Sequence, residues 1–182
     1  SIANFYEARS GRNKKFQIPI GISIGKTNST KINTQKDAIK DIIETFKKFE
    51  RSRVRHSYYE LNISCPNLHG NVTFYSPKNL RELITAVEKL KIKRPIFIKM
   101  PIDKSDKETL EMLAVISKLT IKGLIIGNLQ KNRRDPALVR SEVAKFPVGN
   151  FSGKPTFKRS NELIRLAYKK FGKKLIIIGC GG

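Results

Sequence analysis

A chain of 182 residues, 39% hydrophobic and 29% charged, has apolar surface for one core and too little length for two large ones, so a single domain over 1–182 is expected. No apolar run approaches the roughly 20 residues that cross a bilayer and no signal-peptide core opens the N-terminus; Cys65 and Cys180 lack metal-ligand spacing, so a soluble intracellular chain with reduced thiols and neither disulfide nor metal site is expected. The formal net charge of +22 invites a nucleic-acid reading, but the lysines are spread in pairs such as Lys47-Lys48 and Lys173-Lys174 without a zinc-finger, RRM or KH pattern, which favours a lysine-rich solvated surface and no nucleic-acid partner.

Residues 1–15 read as the end of a helix and then a polar stretch. Ile18 to Gly25 is a β-branched run ending in glycine, the pattern of a buried strand. Gly21 to Thr27 imitates a phosphate-binding P-loop, but only three residues separate its glycines where that loop needs four. Thr34 opens a helix, with Asp37 as its capping-box partner and Ile39, Ile42, Ile43, Phe46 and Phe49 on one stripe.

Tyr59-Glu60-Leu61-Asn62-Ile63-Ser64-Cys65-Pro66-Asn67 reads as a strand leaving its sheet through a polar, proline-stopped loop. Alternation sends Asn62 and Ser64 to the same side and leaves Cys65 at the strand's exit. Taken alone, Cys65 fits a buried inert thiol better than a reactive one. Ser76-Pro77 starts a second helix with Leu80, Leu83, Ile84, Val87 and Leu90 at helical spacing, and Pro95 to Pro101 forms the next strand. Lys99 stands inside that apolar strand, where it needs an anion, a polar partner or a path to solvent.

Ser105 and Glu108 make a capping box for a helix expected to bury Leu110, Leu113, Ala114 and Leu119. Gly123 to Asn128 is a fourth strand. An irregular stretch from 129 to 159 includes the turn Phe151-Ser152-Gly153-Lys154-Pro155. Ser160 then reads as the cap of a helix bearing Ile164, Ala167, Tyr168 and Phe171, and Lys173 to Gly182 as a last strand running into a glycine pair.

Strands alternating with helices and lacking hairpin signals require a parallel sheet, open and doubly wound or closed into a barrel. The residues suited to chemistry cluster at the C-terminal ends of the strands. That favours an α/β chain of the TIM-type (β/α)8 class, and five strands make it an incomplete barrel, a fragment of something longer.

Asn62-Ile63-Ser64-Cys65-Pro66-Asn67, with Ile98-Lys99, Ile126-Gly127-Asn128, Phe151-Ser152-Gly153-Lys154-Pro155 and Ile178-Gly179-Cys180-Gly181-Gly182, closely resembles the dihydroorotate dehydrogenase family of FMN-dependent (β/α)8 barrels in pyrimidine (UMP) biosynthesis. The resemblance runs from about Ile18 to Gly182 and implies a barrel whose first strands and last βα unit are missing here. It implies FMN as cofactor, dihydroorotate and orotate as substrate and product, and Cys65 as the base that removes the C5 proton while a hydride leaves C6.

By the same resemblance Asn67 and Asn128 hold the substrate, Asn62 and Ser23 contact the flavin, and Lys99 lies beside its pyrimidine edge. Gly127, Gly153, Gly181 and Gly182 let the backbone approach the ribityl phosphate. Ser23 stands where membrane-associated, quinone-using class 2 relatives usually carry asparagine, and Gly127 where they carry threonine. A cysteine base is a class 1 trait, while Gly21 to Lys26 and Phe151 to Pro155 look like class 2, so the acceptor stays open between a quinone and another oxidant. A class 2 protein would be cytoplasmic and peripheral to the inner membrane, attached through a missing N-terminal segment. The alternatives are another FMN-dependent pyrimidine oxidoreductase or a basic nucleic-acid-binding protein.

Overall fold

The computed structural model describes residues 18–65 and 72–180. Five strands, β1 (Gly21–Gly25), β2 (Tyr58–Asn62), β3 (Ile96–Met100), β4 (Gly123–Ile126) and β5 (Ile176–Gly179), form one parallel sheet in sequence order. Between them run α1 (Gln35–Arg51), α2 (Pro77–Glu88), α3 (Asp106–Ile116), the short α4 (Arg140–Lys145) and α5 (Lys154–Phe171). Sequential order with a crossover helix between parallel neighbours is barrel-like winding, since a doubly wound sheet would reverse its order at a switch point.

The helices cover one sheet face. Ile22, Ile24, Tyr59, Leu61, Ile98, Leu124 and Ile126 point into it and pack against Ala38, Ile42, Phe46, Leu80, Leu83, Ile84 and Leu113. The other face carries the alternate residues. β1 therefore alternates where its sequence suggested continuous burial: Ile22 and Ile24 are buried, Ser23 is exposed, and Ile18 lies outside the strand at 71% exposure. β5 shows its residues largely to solvent, as an edge strand does when no further strand pairs with it.

Local chemistry fixes the helix starts. The Thr34 hydroxyl accepts the Asp37 amide at 3.1 Å and donates to the Asp37 carboxylate at 2.6 Å, so Asp37 closes on the capping hydroxyl. Ser105 and Glu108 form the complete reciprocal box. The Ser76 hydroxyl caps α2, with Pro77 in the first turn.

Two expectations are corrected. α3 buries Thr109, Met112, Leu113, Val115 and Ile116, while Ala114 is exposed and Leu110 only half-buried; the stripe is rotated so that Met112 and Ile116, which remove more apolar area from water than Ala114 would, face the core. α5 begins at Lys154, not Ser160, because Pro155 presets the first turn and Gly153, at φ 76°, supplies a left-handed entry. Ser160 is buried inside that helix. Among the described residues no helix is long and apolar enough to cross a membrane.

Candidate functional site at the strand C-termini

In a parallel sheet the register fixes which side chains stand beside one another. Asn62 pairs with Gly25 on one side and Lys99 on the other, and Lys99 pairs with Ile125. Two residues earlier, Ser23 pairs with Glu60. Alternation then places Ser23, Glu60, Asn62 and Lys99 together on the face the helices leave open.

Their side chains interact. The Ser23 hydroxyl donates to Glu60 Oε1 at 2.7 Å, and Lys99 Nζ stands 3.9 Å from the same oxygen. Both charged side chains are largely shielded, at 23% and 15% exposure, so this pair is screened less than a surface ion pair. Glu60 thus answers what Lys99 does in an apolar strand. Sequence reasoning gave Glu60 no role, though the signal was present: it lies two residues before Asn62 and shares its face.

Beyond the strand ends a second network joins β2 to β4. Asn62 Oδ1 accepts the Ser64 amide and hydroxyl, each at 3.1 Å. Asn128 Nδ2 donates to Ser64 Oγ at 2.6 Å and to the Ser64 carbonyl, while Asn128 Oδ1 accepts the Leu129 amide at 2.8 Å. Two amide side chains from separate strands are thereby held in fixed orientations, which a site that reads a polar ligand requires.

Cys65 follows directly as a free, half-buried thiol. Its neighbourhood includes Tyr75, whose hydroxyl is pushed up to about 12, chiefly by burial and then by the charges of Asp103 and Cys65. Lys104 Nζ lies 4.7 Å from the Tyr75 ring centre, and Asp103 pairs with Lys131 at 2.6 Å. Tyr75 also went unread in the sequence. Only its place just before the Ser76 cap hinted that it would be carried to the strand ends.

Gly127 adopts φ 149°, and a Cβ there would overlap the carbonyl oxygen of Cys180. This glycine lets β5 pass close to β4, where the Cys180 amide donates to the Ile126 carbonyl at 2.8 Å. Gly153 caps α5 with no side-chain acceptor on the first-turn amides and no acidic residue in that turn, leaving a helix N-terminus open to an anion. Arg159 moors the start of α5 to the β3–α3 connection through the Ile102 and Lys104 carbonyls and Asp106. Lys26 is spent differently from a P-loop lysine. Its ammonium is buried and donates to the Thr27 and Ile32 carbonyls. Asn67, Gly181 and Gly182 lie outside the described residues.

A sequentially ordered parallel sheet, helices on one face and polar side chains gathered at the strand C-termini together define a segment of a (β/α)8 barrel enzyme scaffold. The comparisons agree. The family model for dihydroorotate dehydrogenase matches residues 4–182, and the chain belongs to that family. Among curated relatives, the dihydroorotate dehydrogenase (quinone) of Mycolicibacterium smegmatis is 30% identical over 168 residues, covering 92% of this chain and 45% of the relative. That of Corynebacterium diphtheriae is 28% identical over 179 residues, covering 96% and 46%.

Two crystal structures of DHODH from Eimeria tenella superpose on the whole chain. The complex with ferulenol has TM-score 0.78 at 25% identity over 51% of its length, and the ligand-free form 0.79 at 24% over 54%. The chain spans about half the length of the curated relatives it matches, and its open five-stranded sheet corresponds to an incomplete barrel.

Proposed function

We propose that this chain is part of a flavin-dependent dihydroorotate dehydrogenase that oxidises dihydroorotate to orotate in pyrimidine biosynthesis and passes the electrons to a quinone. The observation that carries the reading is the Asn62–Ser64–Asn128 network beside Lys99 and Cys65, in a chain of this family. The acceptor assignment is supported by relatives named as quinone enzymes.

The described residues fit FMN. Lys99 and Asn62 occupy adjacent register positions on the helix-free face, flanked by the apolar Ile125. That mixture suits a flat ring with one polar edge. The uncapped N-terminus of α5 at Gly153 suits a phosphate, with Gly127, Gly181 and Gly182 as the remaining phosphate-side glycines and Ser23 as a further flavin contact. When bound, FMN accepts the hydride that leaves C6 of dihydroorotate.

Cys65, as thiolate, takes the proton from C5, so that the C5–H and C6–H bonds are lost and the ring double bond forms. Asn67 and Asn128 orient the pyrimidine ring and carboxylate; Asn128 arrives already oriented by Ser64 and the Leu129 amide, which lowers the ordering cost of binding. Lys99 would hold the polar edge of the flavin ring and supply positive charge there, with Glu60 as its counter-charge. We further infer that residues 1–182 lie within one domain.

The test is anaerobic addition of dihydroorotate to the intact protein. Flavin absorbance that bleaches on addition is expected. A colourless protein overturns the flavoprotein reading, and a flavin that dihydrouracil bleaches but dihydroorotate does not would reassign it to another pyrimidine oxidoreductase.

A further inference from the structure

The helix-to-strand connections 52–57, 89–95, 117–122 and 172–175 all open at the end of the sheet opposite the site above, because every strand is parallel. Together they carry ten lysines and arginines and no aspartate or glutamate. At the other end, the connection 26–34 carries Lys26 and Lys31 alone, while 101–105 and 127–139 mix their cations with Asp103 and Asp135. The topology therefore collects on one end cations that the sequence distributes.

At the centre of this basic end, around the start of β3, lies a cavity of about 630 Å³, the larger of two described and remote from Cys65. Lys91, Lys93 and Lys122 line it together with apolar Ile92, Pro95 and Ile121. None of the three lysines has an ion pair with another described residue. Arg94 also lines it but is committed to Glu50 at 2.9 Å and to the His56 carbonyl. The one carboxylate in the wall, Glu88, is engaged through Oε1 by the Thr120 amide and hydroxyl, both at 2.6 Å.

Lys91 adds a second kind of observation. It is the one non-glycine residue with positive φ among those described, at 52°, in a turn where glycine or asparagine would be easier. Its amide closes the C-terminal turn of α2 on the Glu88 carbonyl at 2.9 Å, and the residue lines the cavity. The volume falls in the range of small-molecule sites, and three like charges lining one half-open hollow attract an anion together more strongly than any one of them does alone.

We propose that this cavity binds a nucleotide-class organic phosphate, with the phosphate on Lys91, Lys93 and Lys122 and the planar base over Ile92, Pro95 and Ile121. The site is separate from the dehydrogenase centre and stands whether or not that assignment does.

The test is calorimetric titration of the intact protein with adenosine 5′-monophosphate at low salt, with adenosine, inorganic phosphate and a single-stranded oligonucleotide as comparisons. Saturable binding of one nucleotide per chain is expected, weakened at least tenfold by Lys93→Glu and by Lys122→Glu and absent for adenosine. If either variant melts earlier, Lys93→Gln and Lys122→Gln replace them, and a several-fold weakening is the supporting result. No saturable heat with the nucleotide, equal affinity in the variants, or binding of the oligonucleotide alone at several equivalent sites would each overturn the proposal.

Discussion

Replacing Gly127 with alanine tests how β5 is attached to the sheet. At φ 149° a side chain is strained, and the new Cβ would overlap the Cys180 carbonyl, a backbone atom that no rotamer change can move. Relief requires β5 to shift, which strains the Cys180-to-Ile126 hydrogen bond. Backbone strain of about 1–3 kcal/mol, overpacking of about 1–3 and a lost hydrogen bond of about 0.5–1.5 add to roughly 3–7 kcal/mol. In a domain of this size each kcal/mol lowers the melting temperature by about 2–4 °C, so a fall of roughly 6–28 °C is expected in thermal unfolding followed by circular dichroism.

Gly149→Ala is the control. Gly149 also has positive φ, 104°, but nothing lies within 4 Å of its would-be Cβ, so it registers strain without collision. A Gly127→Ala protein that melts with the Gly149→Ala control would refute the close approach of β5 to β4.

Three other predictions concern charge and polar contacts. Glu60→Gln removes the carboxylate beside Lys99; the flavin midpoint potential of the intact protein should move positive, Lys99→Gln should move it negative, and unchanged potentials in both would remove Lys99 from the flavin's surroundings. Asn128→Ala leaves the Ser64 hydroxyl without its amide partner; a loss of about 1–3 kcal/mol in urea unfolding is expected, together with weaker orotate binding. The basicity of His56 is lowered, first by burial and further by Arg94, so its folded-state pKa lies below its unfolded value near 6.5. The unfolded chain then binds the proton more readily. Stability is full above pH 6.5 and falls as pH drops below it toward the folded pKa, and His56→Gln should flatten the melting temperature between pH 7 and 5.

Much of this was legible where one local rule decides the outcome. β2 followed from its alternation, α3 from the Ser105–Glu108 box, and the C-terminal placement of Asn62, Lys99 and Asn128 from strands that all run the same way. The start of α5 was misread because Ser160 resembles an N-cap, although the proline rule that located α2 at Pro77 applies equally at Pro155. Glu60 escaped because its role depends on Lys99 from the next strand, and a register is not written in either strand alone. The Ser64–Asn128 bond joins residues 64 positions apart, so it could only appear once β3 had been placed between them.

The most direct test of the account is the rate of flavin reduction in a single turnover. Intact protein mixed anaerobically with dihydroorotate should bleach rapidly, while Cys65→Ala should keep its flavin and bleach about 10²–10⁴ times more slowly, the usual contribution of a positioned base. Equal rates in the two proteins would contradict the proposal that the thiol at the exit of β2 takes the proton.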